Sequence, residues 1–244
     1  MCAPGSIASH GAQSVVVATE ADEATGVPRV AIVTGGSRGI GREVTRRLAG
    51  KGYALVVYYA RNQEAAETAV EEVLAANGTA IAVRGDVADE LDVERLFAET
   101  IDAFGHVDVV VHAVGQLILG PVAHDDLDGF DALLRTNVRG TFVVNRQAAL
   151  ELRDGGAIIN IFGSLVGQAF PTRAAYAASK GAVAAITRVL ADDLRGRDIS
   201  VNAIAAEVDR PGIVAPEIAN VVAFLVSEAG HEVNGQVIRP NGEA

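Results

Sequence analysis

The sequence predicts an α/β fold, a doubly wound parallel sheet of about seven strands with helices on both faces. Three observations carry that expectation. From Arg29 onward, short β-branched runs alternate with amphipathic helical stretches. The runs lack polar alternation, as in Ala54-Leu55-Val56-Val57, which is the pattern of strands buried on both faces. A glycine-rich turn follows the first run and opens the first helix.

Strands are expected at 30–34, 54–59, 80–84, 107–112, 156–161, 199–204 and 236–239. Helices are expected near 39–51, 62–77, 89–104, 125–152, 174–196 and 216–228. Regular βαβ alternation demands right-handed crossovers and therefore a parallel sheet. No repeat or low-complexity tract interrupts the pattern, so residues 29–244 are read as a single domain. Residues 1–28 are read as a loosely ordered N-terminal extension.

Composition narrows the function. A chain of 244 residues that is 50% hydrophobic and 21% charged has enough apolar surface for a packed core. A net charge of −11 argues against nucleic acid, which needs a basic face. The lone Cys2 excludes an internal disulfide and a cysteine-based zinc site, and the five histidines show no ligand spacing, so no metal is expected. No apolar run reaches 18 residues, so no membrane span is expected. Residues 1–28 lack the basic start and long apolar run of a signal peptide, and a cytoplasmic location is the default.

The first βα turn reads Thr34-Gly35-Gly36-Ser37-Arg38-Gly39-Ile40-Gly41. Placed between strand and helix, such a turn lets the backbone approach a dinucleotide pyrophosphate that sits on the helix N-terminus, as in a Rossmann-type fold. The spacing is Gly-x3-Gly-x-Gly. After the second strand comes Tyr58-Tyr59-Ala60-Arg61-Asn62, with no carboxylate to bind a ribose 2′-hydroxyl. Arg61 and Arg38 instead suit a 2′-phosphate, so NADP(H) is expected over NAD(H). Gly85-Asp86-Val87 ends the third strand, where Asp86 either accepts from an adenine amino group or caps the next helix.

Tyr176 and Lys180 stand four residues apart in an Ala- and Leu-rich, proline-free stretch, so a helix puts both on one face. A free phenol titrates near pH ~10. A neighbouring ammonium favours the phenolate and makes the pair able to exchange a proton with a substrate oxygen. Only two lysines, Lys51 and Lys180, occur against eighteen arginines, which sets Lys180 apart from ordinary surface charge.

Together these residues resemble the short-chain dehydrogenase/reductase family across about 29–244. The matching stretches are the glycine-rich turn, Asp86-Val87, Asn137-Val138-Arg139-Gly140, Ser164, Tyr176 with Lys180, and Asn234-Gly235-Gln236-Val237. They resemble most the 3-oxoacyl-[acyl-carrier-protein] reductase branch and its carbonyl-reductase relatives. The resemblance implies NADPH-dependent reduction of a carbonyl. Tyr176 would be the general acid, Ser164 a hydrogen-bond donor to the substrate oxygen, and Lys180 a partner of both Tyr176 and the nicotinamide ribose. Asn137 would hold a water that links Lys180 to solvent. Cofactor contacts would come from Gly35, Ser37, Arg38, Gly39, Ile40 and Gly41, from Tyr59 and Arg61, and from Asp86 and Val87. Ala113, Gly115, Tyr176 and Lys180 complete the set. Gln116, Leu117, Leu165 and Phe170 are positional candidates for substrate contact. The resemblance also implies a homodimer or homotetramer, formed through the helices 125–152 and 174–196.

Three departures from the family pattern stand out. The family's Asn-Asn-Ala-Gly after the fourth strand is here His112-Ala113-Val114-Gly115, and His112 is expected to pack in the core. The Pro-Gly turn after the sixth strand is replaced by a stretch ending Ala205-Ala206-Glu207. The segment 206–215 is short where the family carries a lid, which predicts an open cleft, a bulky or carrier-tethered substrate, weak activity, or a wall supplied by a partner subunit. The alternative function is therefore a cofactor-binding subunit with little catalysis of its own.

Overall fold

The computed structural model describes residues 27–118, 120–124, 126–163, 172–206 and 215–240. Seven strands form one sheet: β1 Val30–Thr34, β2 Ala54–Tyr59, β3 Thr79–Arg84, β4 Val109–His112, β5 Ala157–Gly163, β6 Ser200–Ala206 and β7 Val237–Ile238. Their order is β3-β2-β1-β4-β5-β6-β7, and every pair is parallel. The chain leaves β1 toward β2 and β3, then returns to place β4 on the other side of β1. That reversal opens a crevice at the carboxyl ends of β1 and β4, the place where ligands bind in open parallel sheets.

The central strands β1, β2, β4, β5 and β6 bury both faces, so alternate residues enter different cores, while the edge strands β3 and β7 are only partly covered. Ala31, Val33, Val109, Val111, Ile159 and Ile204 pack beneath α1 (Gly39–Ala49) and α7 (Ala215–Leu225). Ile32, Val56, Val110, Ile158 and Val201 pack beneath α3 (Glu90–Phe104) and α5 (Gly140–Glu151), and beneath the last turn of α6 (Ala174–Asp193). This explains the unbroken apolar runs in the sequence. α2 (Gln63–Ala75) covers the β2–β3 edge through Ala66 and Ala69.

The helix expected at 125–152 has a break in its register. α4 (Leu127–Leu134) passes through a single π turn at Arg135–Arg139 before continuing as α5. Such a bulge inserts a residue and redirects the side chains that follow, and it recurs at functional positions. Asn137 lies inside it, fully buried. At the opposite edge of the sheet the buried Asp108 accepts from Val30 N at 2.6 Å and pairs with Arg153, tying β1 and β4 to the loop after α5.

Candidate active site

The turn after β1 can receive an anion. α2, α3 and α4 begin on capping side chains, Asn62, Asp89 and Asp126. α1 begins on Arg38, whose side chain makes no capping bond, and its first turn holds no acid. The leading amides of that helix are thus left for a ligand. Gly39 has φ +54°, and a Cβ placed there would meet nothing within 4 Å. A Cβ at Gly41 would stand 2.2 Å from the Gly35 carbonyl oxygen, so only glycine lets the turn close on the helix. Ser37 is buried and Ile40 half-buried in the same turn. These features fit the pyrophosphate of a dinucleotide.

Arg38 and Arg61 are both exposed, and no ion pair or hydrogen bond among the described residues occupies either side chain. No acid stands between β2 and Asn62, and Tyr59 is half-buried at the end of β2. Asp86 does not cap the next helix; Asp89 caps α3. One Asp86 oxygen accepts from Ala88 N at 2.9 Å and the other from Arg135 at 2.6 Å. Burial raises the Asp86 pKa, but the Ala88 amide and the Arg135 guanidinium outweigh it and hold the carboxyl below its usual range. Val87 is buried, and a Cβ on Gly140 would lie 2.8 Å from its side chain.

At the end of β4 the chain meets α6. Tyr176 and Lys180 are both buried on one face of α6, with the ammonium 5.1 Å from the centroid of the Tyr176 ring. Burial lowers the Lys180 pKa to about 8. A Cβ on Gly115 would approach Lys180 Nζ to 3.0 Å, so the loop after β4 passes directly beside the ammonium. Asn137 accepts from Gln116 N at 2.7 Å and donates to Gln116 O at 2.9 Å and to Ser179 Oγ at 3.1 Å. The Asn137 side chain therefore clamps that loop to α6. Ser179 completes the clamp by donating to Tyr176 O at 2.7 Å. Nothing in the sequence reading marked Ser179; its one signal is a hydroxyl among alanines, adjacent to Lys180 and three residues after Tyr176.

His112 is a core residue, as expected, and its contacts explain part of the first departure. Ala113 N donates to Thr34 Oγ1 at 3.2 Å, and the Thr34 hydroxyl lies 2.9 Å from His112 Nδ1. This pair joins β1 to β4 at the crevice. Burial and the charge of Lys180 lower the His112 pKa to about 3, so the imidazole is neutral. Its Nε2 and the neighbouring Asn160 Oδ1 are buried without a partner among the described residues.

The structure brings Asn137, Tyr176 and Lys180 together with Gly115, and places the glycine turn, Arg38 and Arg61 along the same edge of the sheet. Ser164, Leu165, Phe170 and Glu207 lie outside the described residues. So does most of the short segment after β6, where β6 ends at Ala206 and α7 begins at Ala215. No group of acids, histidines or cysteines able to hold a metal occurs among the described residues, and none of their helices is long and apolar enough to cross a membrane.

The chain is similar to known proteins in sequence and fold. The short chain dehydrogenase family model matches residues 29–222. A short-chain type dehydrogenase/reductase of Picea abies is 36% identical, covering 88% of this chain and 91% of that protein. A versicolorin reductase of Emericella nidulans is 32% identical, covering 88% of this chain and 95% of the relative. A solved short chain dehydrogenase of Burkholderia cenocepacia in complex with NADP is 32% identical, with a TM-score of 0.81 over 86% of this chain and 95% of its own. With the family matched over most of the chain and the fold shared at this identity, the protein belongs to the short-chain dehydrogenase/reductase family of oxidoreductases.

Proposed function

We propose that the chain reduces a ketone carbonyl, of the 3-oxoacyl or a related type, to an alcohol at the expense of NADPH. The observation that carries this reading is the buried Tyr176–Lys180 pair, held beside the loop after β4 by Asn137. Bound nicotinamide supplies the hydride. Tyr176 gives its hydroxyl proton to the carbonyl oxygen as that oxygen gains charge. Lys180, charged at neutral pH, favours the phenolate left behind. Its pKa of about 8 keeps it close to exchange with solvent protons. Ser164 is assigned the second hydrogen bond to the oxygen by family resemblance. Asn137 sets the height of the loop and so the space above Lys180.

NADPH is preferred because Arg38 and Arg61 are free cations beside a ribose site that has no acid. Gly35, Ser37, Gly39, Ile40 and Gly41 hold the pyrophosphate. Tyr59, Val87, Ala113 and Gly115 line the adenosine and nicotinamide ends. Asp86 contributes there only if Arg135 releases it or both share the ligand.

The functional unit is residues 29–244 in a homodimer or homotetramer. Between α5 and α6 lies an apolar groove lined by Phe142, Leu150, Ile186 and Val189, with Arg146 and Asp193 on its border. Phe142, Leu150 and Val189 are more than half exposed. A two-fold partner would cover them and pair the two border charges crosswise.

The test is NADPH consumption with a panel of ketones by the wild type and Tyr176→Phe. The variant should lose roughly 10²- to 10⁴-fold in kcat while binding NADPH as before. Cofactor binding without turnover in the wild type, or equal rates in both proteins, would replace this reading with that of a cofactor-binding subunit.

A further inference from the structure

We infer that the substrate is an uncharged, apolar ketone taken up free from solution rather than an anion or a carrier-tethered thioester. This rests on the reductase reading and narrows it. The wall beside Tyr176 is apolar: Leu133 is buried against its ring, with Ile118 and Leu134 packed on the same cluster. The loop that supplies Ile118 is tied to the start of α6 by Gly120 N donating to Thr172 O at 2.9 Å. Large apolar side chains continue along it into solvent. Leu117 is 43% exposed, Val122 73% and Leu127 74%. An apolar wall beside a reactive group, with exposed apolar side chains on the same loop, favours apolar ligands.

The charge on the same stretch has one sign. Residues 115–134 contain Asp125, Asp126, Asp128 and Asp131 and no Lys or Arg. Of these, Asp126, Asp128 and Asp131 are exposed. The next cations along the chain are already engaged, Arg135 with Asp86 and Arg139 with Glu90. Arg173, at the start of α6, is half-buried and not free. A carboxylate, a phosphate-bearing thioester or an acidic carrier surface would approach this rim against its field, within a chain already at −11. A neutral ketone meets the apolar wall without that opposition.

The experiment compares kcat/KM with NADPH for 1-tetralone, ethyl acetoacetate, acetoacetate and acetoacetyl-CoA on the full chain. The ester and its acid share a skeleton and differ in charge. The two neutral ketones should exceed both anions, with an ester-to-acid ratio of about tenfold or more. That ratio should shrink in high salt and in Asp128→Asn/Asp131→Asn, through a rise in the acid's rate. An acid or CoA thioester used as well as the ester overturns the inference, as does a ratio that ignores both salt and the double variant. Should none of the four consume NADPH, the reductase reading falls. Calorimetric titration with ethyl acetoacetate and acetoacetate then decides the charge rule: tighter ester binding upholds it and equal or weaker binding overturns it.

Discussion

Gly115 and Lys180 fit each other: a Cβ on the glycine would stand 3.0 Å from the lysine ammonium. The ammonium therefore occupies the space that any side chain at 115 would claim. Asn137 holds the neighbouring Gln116 backbone at both its N–H and its C=O, so the loop cannot easily withdraw. Gly115→Ala should displace the ammonium from its place beside Tyr176. Steady-state kinetics should show kcat lowered about tenfold or more, since small misplacements at a reacting centre are expensive in rate. Thermal unfolding should move little, because the group displaced is the end of a flexible chain.

Lys180 makes stability depend on alkaline pH. Its ordinary value is 10.5, and burial lowers it to about 8 in the folded chain. Between those values the unfolded chain holds a proton that the folded chain has lost. Stability therefore rises as pH goes from 8 to 10.5, and the burial penalty is present in full below pH 8. That penalty is about 3 kcal/mol. Lys180→Met should remove it, giving an inactive protein more stable at pH 7 and flat across this window in denaturant titrations.

His112 acts at the acid end. Its ordinary pKa of 6.5 falls to about 3 on burial beside Lys180. Between those values the unfolded chain again holds the extra proton, so stability falls as pH drops from 6.5 toward 3. The full effect is about 5 kcal/mol. His112→Asn should flatten this acid limb when unfolding midpoints are measured from pH 7 to pH 4.

Arg38 and Arg61 predict the cofactor preference. Replacing either with Ala should raise KM for NADPH about tenfold or more, in line with loss of a charge-assisted hydrogen bond. KM for NADH should barely change. Equal effects on both cofactors would place the two arginines away from the 2′-phosphate.

Much of this was legible in the sequence because its causes are local. The central strands announced themselves as apolar runs, since both faces of the middle of a parallel sheet need filling. The glycine turn was readable because Gly41 has to accommodate the Gly35 carbonyl six residues earlier. Tyr176 and Lys180 fell on one face by helical spacing alone.

Tertiary structure decided the rest. Thr34 and His112 are 78 residues apart, and only the order that sets β4 beside β1 lets them bond. Asn137 finds Gln116 and Ser179 through a π turn that no spacing rule foretold. Asp86 is held by Arg135, 49 residues on, rather than capping α3. A side chain's neighbours along the chain follow from backbone periodicity, but its neighbours across the sheet depend on how every element packs at once.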